Sequence, residues 1–90
     1  MTHLPIVQGF QDVPFFETTD EAMRMLKKHR VISAASDHGA MTVWMYDDTW
    51  PGLKPLYRAY RSVYCSMQDE IETRHLTELR SFIAKNLKKL

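Results

Sequence analysis

The side chains of this sequence that could do chemistry lie in a few short stretches. Asp37-His38 stands beside Gly39, Asp47-Asp48 precedes Thr49-Trp50-Pro51-Gly52, and His75 follows Arg74. A histidine next to a carboxylate has the groups of an acid/base pair, and adjacent carboxylates could hold a cation. In KPLYRAYRSVYC, residues 54–65, Lys54, Arg58 and Arg61 recur at intervals of four and three, with Lys27, Lys28 and Arg30 earlier in the chain. Such a basic stripe could contact phosphates. Cys65 ends the stretch; on a helical reading Arg61 one turn before it favours the thiolate and Asp69 one turn after opposes it.

None of these stretches is a motif in itself. The four histidines (His3, His29, His38, His75) and the single cysteine show neither Cys-x-x-Cys nor His-x-x-x-His spacing, so no metal site is expected. No Gly-rich phosphate loop, nucleophile elbow or metalloprotease helix motif occurs, and only three glycines are present to build one. Aspartates beside Gly and Pro serve turns and caps. The reading is therefore a protein that is not an enzyme and needs no cofactor. A small enzyme with dispersed Asp37, His38, Asp47, Asp48 and His75 is an alternative.

Net charge is +1, too small a field to gather the chain onto DNA or an anionic membrane, so any such binding must come from a local patch. One cysteine excludes an intramolecular disulfide and suits a reducing compartment. The N-terminal stretch has no basic start followed by an apolar run, and no stretch approaches the ~18 apolar residues of a membrane span. A cytoplasmic protein with no membrane partner is expected. Ninety residues suffice for one domain, 1–90, in which Pro5, Gly9 and Pro14 leave 1–16 a partly irregular arm.

The elements that must position these groups follow from capping and periodicity. Thr18-Thr19-Asp20-Glu21 reads as a capping box opening a helix over about 19–30, with Asp20 and Glu21 at its start and Lys27, Lys28 and Arg30 at its end, as the helix dipole favours. Val31–Ala35 and Ala40–Tyr46 read as two strands joined through Gly39 in a hairpin. In the second strand Met41, Val43 and Met45 alternate with Thr42, Trp44 and Tyr46, giving one core face and one aromatic face. From Leu56 to Leu90 there is neither Gly nor Pro, and the stretch reads as helical.

On a helical wheel Leu56, Tyr57, Ala59, Tyr60, Val63 and Tyr64 share one arc, with Lys54, Arg58, Arg61 and Cys65 opposite. Leu76, Leu79, Phe82, Ile83, Leu87 and Leu90 belong to a different side. One straight helix could not bury both, so either it breaks near Ser66 to Arg74 or its distal face packs on another copy. The expected fold is α+β: an N-terminal helix, a β-hairpin with a possible third strand from the arm, and one or two C-terminal helices packed on the sheet.

The apolar surface of that last third exceeds what so small a chain covers, which points to a protein-binding module, a regulator or inhibitor of a larger complex, and to a homodimer. Trp44, Tyr46, Trp50, Leu76, Leu79, Ile83 and Leu87 are its candidate contacts, since aromatic anchors dominate interface energetics. The alternative, a nucleic-acid-binding regulator, would use Lys27, Lys28, Arg30, Lys54, Arg58 and Arg61.

Overall fold

The computed structural model describes residues 13–46 and 54–90. Thr18 opens helix α1 (Thr19–Met25): its hydroxyl accepts the Glu21 N–H at 3.1 Å, while the Glu21 carboxylate reaches back to the Glu17 N–H at 2.7 Å. Two donors at the helix start are thereby satisfied, as in a capping box. The helix is shorter than the expected 19–30. Lys27 and Lys28 already bond three residues back, and the Arg30 carbonyl accepts the Met45 N–H at 2.8 Å. The chain is drawn into the sheet before the basic residues can extend the helix.

Four strands follow as a meander: β1 (Val31–Ser36), β2 (Gly39–Tyr46), β3 (Leu56–Val63) and β4 (Ser66–Thr73), antiparallel and in the spatial order β1-β2-β3-β4. Helix α2 (Leu76–Leu87) closes the chain. The described residues thus form an α+β architecture, a four-stranded antiparallel sheet with two helices. The arm contributes one parallel bridge, Phe15 to Ser33, at the outer edge of β1; the rest of the expected arm, 1–12, lies outside the described residues.

The first hairpin matches its sequence signal. Gly39 has φ +148°, and a Cβ there would lie 2.4 Å from the Ser62 carbonyl oxygen, so a side chain is excluded both by backbone conformation and by space. In β2, Met41 and Val43 are fully buried with Met45 packed beside them, and Trp44 and Tyr46 lie on the other face.

The expected helix over 56–73 is overturned: this stretch is the β3–β4 hairpin. In β3, Tyr57, Ala59 and Arg61 are buried and alternate with Leu56, Arg58 and Tyr60 on the opposite face, a period of two that the helical reading passed over. Aromatic and β-branched residues are at home on a pleated surface, and tertiary pairing outweighs modest helix propensity. The turn carries no glycine. Tyr64 (φ 50°) and Cys65 (φ 66°) both take left-handed backbone, as a type I′ turn demands, with the Tyr64 side chain 90% exposed.

The core lies between the sheet and the two helices. Ile32, Ala34, Met41, Val43, Tyr57 and Ala59 meet Ala22 and Leu26 of the α1 segment and Leu79, Phe82 and Ile83 of α2, with Phe16 at the margin. Leu87 and Leu90 pack partly against it, while Leu76 is 49% exposed. An ion pair between Asp20 and Arg80 links the helices.

The left-handed conformations of Tyr64 and Cys65 cost about 1 kcal/mol or more each relative to residues suited to the turn. Tyr64→Asn with Cys65→Gly should therefore raise the free energy of unfolding by about 1 kcal/mol, allowing for the freer unfolded chain that Gly brings. A urea titration checks this, and a drop in stability would contradict the turn assignment.

Candidate interaction surface

Register and alternation decide which side chains share the sheet face that neither described helix covers, the helix-free face among the described residues. Across the sheet one row reads Val31, Trp44, Arg58, Glu72 and the next Ser33, Thr42, Tyr60, Glu70, with Tyr46 opposite Leu56 at the end. Trp44 and Tyr60, diagonal neighbours on β2 and β3, stack with ring centroids 5.2 Å apart and planes tilted by 44°. Such a pair adds roughly 0.5–1.5 kcal/mol beyond area burial. Arg58 faces Glu72 with Nε–Oε1 at 3.6 Å, both side chains more than half exposed, so this pair contributes little to stability. A groove of about 390 Å³ lies beside it, lined by Arg58, Tyr60, Glu70 and Glu72 together with Ala59 and Ile71.

The other face holds a polar clasp within the core. Arg61 and Asp69 are cross-strand partners, and Asn86 of α2, fully buried, joins them. Arg61 Nε donates to Asn86 Oδ1 at 2.7 Å; Asn86 Nδ2 donates to Asp69 Oδ2 at 3.1 Å and to the Phe82 carbonyl at 3.0 Å. Lys85 Nζ stands 3.7 Å from Asp69 Oδ2, and Asp69 Oδ1 accepts the Glu70 N–H at 3.0 Å. The Asn86 hydrogen bond chiefly holds the Asp69 carboxyl below its ordinary pKa; partial burial opposes this, and Lys85 and the Glu70 amide assist it.

The sequence-based candidates scatter accordingly. Trp44 and Tyr46 are on the helix-free face. Leu79 and Ile83 are fully buried beneath the chain's own sheet and offer no surface, and Leu87 packs partly against the same core. The helical surface that motivated a homodimer is therefore largely covered. Trp50, Asp47 and Asp48 lie outside the described residues. The basic stripe is divided, because residues three apart on a strand point to opposite faces: Arg58 is on the helix-free face and Arg61, 9% exposed, is in the clasp. Lys27, Lys28 and Arg30 are exposed around the turn after α1, and Lys54 is exposed before β3.

The acid/base candidates among the described residues are not assembled. Asp37 and His38 form the β1–β2 turn at one end of the sheet, and His75 follows β4 at the other, roughly 25 Å away by strand length. Among the described residues no group of His, Cys, Asp and Glu is placed to hold a metal ion. No described helix is long and apolar enough to cross a membrane. Tyr60, Glu70 and Glu72 are surface residues that the sequence reading missed; the alternation Leu56, Arg58, Tyr60 against Tyr57, Ala59, Arg61 was the signal that could have found them.

Asn86→Ala removes the acceptor of the Arg61 Nε–H and a donor to Asp69, so a loss of about 3 kcal/mol in unfolding free energy is expected by urea denaturation. Because the folded-state pKa of Asp69 lies below 3.8, its contribution is complete above that value and is lost as pH falls through the lower, folded one. Stability measured between pH 6 and 2.5 should fall less steeply in Asp69→Asn than in the wild type; equal slopes would exclude the clasp as its source. In comparisons with known proteins, no family model, no curated protein and no solved structure matches this chain.

Proposed function

We propose that this protein is a small protein-binding module, a regulator or inhibitor within a larger complex, which docks through the helix-free face of its sheet. The observation that carries the reading is the Trp44–Tyr60 pair, stacked on a face that neither described helix covers. Large aromatic side chains with a polar tip are the usual anchors of protein interfaces, since they bury much area at little cost in side-chain entropy. Tyr46 and Leu56 extend the patch at one end, Arg58 lies between Leu56 and Tyr60 and opposite Trp44, and Thr42, Glu70 and Glu72 border it, so aromatic and charged groups share one surface.

Electrostatics favours a protein over nucleic acid. Glu70 and Glu72 lie beside Tyr60 and Arg58, and the one arginine of this face is already matched by Glu72. A phosphate backbone laid across the aromatic pair would meet those carboxylates, whereas a folded partner can answer both signs at once.

The expected outcome is tested by affinity capture from host lysate with the wild type and with Trp44→Ser/Tyr60→Ser, whose fold is checked by circular dichroism. A stoichiometric protein partner should bind the wild type and lose about thirtyfold or more in affinity for the variant, equivalent to about 2 kcal/mol. Nucleic acid in the eluate, or capture untouched by the substitutions, would refute the reading.

A further inference from the structure

The two edges of the sheet are treated differently. At the β1 edge the Ser33 N–H donates to the Pro14 carbonyl at 3.0 Å and the Phe16 N–H to the Ser33 carbonyl at 2.9 Å, so the arm partly covers it. At the β4 edge no described segment pairs with the outer side of the strand. An edge that no described segment covers presents backbone donors and acceptors in a row, a template for one more strand.

The usable part of that edge is defined by register. β3 and β4 slip between Arg61 and Ser62, where Arg61 faces Asp69 but Ser62 faces Met67, leaving Gln68 as the extra residue of a bulge. From Asp69 to Thr73 the pairing is unbroken. Over this stretch Glu70 and Glu72 are exposed on the helix-free face, and Asp69, Ile71 and Thr73 face the α2 side. Each side has a groove next to the strand, and Ile71 borders both. The groove on the helix-free face is the one beside Arg58; that on the α2 side, about 490 Å³, is lined by Ile71, Thr77, Glu78 and Ser81. A strand laid along the edge would set alternate side chains beside Glu70 and Glu72 on one side of the sheet and beside Ile71 on the other.

Charge selects what that strand carries. β4 contains Asp69, Glu70 and Glu72 and no Lys or Arg. Asp69 is held by Asn86 and Lys85 and Glu72 by Arg58, while Glu70 makes no ion pair among the described residues. A second copy of β4 in this position would bring carboxylates against carboxylates, which disfavours self-pairing. A cationic strand has no such conflict.

We propose that the β4 edge from Asp69 to Thr73 takes an extended basic segment of another protein as a fifth strand, with Lys or Arg at alternate positions over Glu70 and Glu72 and a small apolar side chain between them against Ile71. This rests on the reading of the chain as a protein-binding module and names the chemistry of its partner, at a surface adjoining the aromatic face.

The probe is a capped nine-residue peptide of alternating Arg and Val, titrated into the isotope-labelled 90-residue chain and followed by amide NMR shifts. Saturable shifts centred on Asp69–Thr73 are expected, with affinity reduced about tenfold or more in Glu70→Lys/Glu72→Lys. Methylating alternate backbone nitrogens of the peptide should abolish them, a control that leaves the protein unaltered. The proposal is overturned if the shifts spare β4, if the methylated peptide binds as well, or if a Glu/Val peptide binds equally. Trp44→Ser alone, at a residue that lines neither groove, should keep the peptide site. Lost peptide binding with intact capture from lysate therefore counts against the edge alone, and lysate capture untouched by Trp44→Ser, with peptide binding intact, counts against the aromatic face alone.

Discussion

Both described helices pack on the same face of one sheet, and the remaining features follow from that one-sided burial. Ile32, Ala34, Met41, Val43, Tyr57 and Ala59 supply the floor of the core, and Leu79, Phe82 and Ile83 with Ala22 and Leu26 supply its roof. An antiparallel sheet tolerates this arrangement because its backbone hydrogen bonds lie in the sheet plane, leaving one face free to meet water. The face that neither described helix covers must then be made of side chains that work at a boundary. Here they include Thr42, Trp44, Arg58, Tyr60, Glu70 and Glu72, each amphipathic or charged, beside the apolar Val31 and Leu56.

The same geometry explains why polar residues sit in the core. Arg61 occupies an inward position of β3, where its guanidinium would be costly without partners. Asn86 supplies an acceptor to it and donors to Asp69 and to the Phe82 carbonyl, so no buried side-chain nitrogen or oxygen among the described residues is left without a hydrogen bond. Because these bonds are directional, they fix where α2 lies over β3 and β4, which apolar contact alone specifies less sharply. The helix start is held similarly: the Thr73 hydroxyl donates to the Glu78 carboxylate and accepts the His75 N–H at 3.0 Å, joining the end of β4 to the first turn of α2.

A wheel and a pleat can sort the same residues differently, and residues 56–73 show why. Tyr57 and Tyr60, or Arg58 and Arg61, are neighbours on a helix and opposites on a strand. The choice between those periods turned on Tyr64-Cys65, a turn whose left-handed backbone no Gly or Asn announces. Mistaking it converted an acidic edge strand into helix surface and a buried arginine into part of a phosphate-binding stripe. It also made Leu79 and Ile83 look like surplus apolar surface, although a sheet twice as wide as the expected hairpin buries both.

Local chemistry alone set several features. Thr18 with Glu21 marked a helix start, because unpaired N–H groups there need acceptors close in sequence. Gly39 marked the first hairpin, and the alternation from Met41 to Tyr46 assigned a core face and an aromatic face, since side chains on a strand point to alternate sides. Only the tertiary structure could place Tyr60 against Trp44, Asn86 between Arg61 and Asp69, and Glu70 and Glu72 on the edge strand of the described sheet. These arrangements join residues up to 25 positions apart through strand register, and register is set by pairing across the whole sheet.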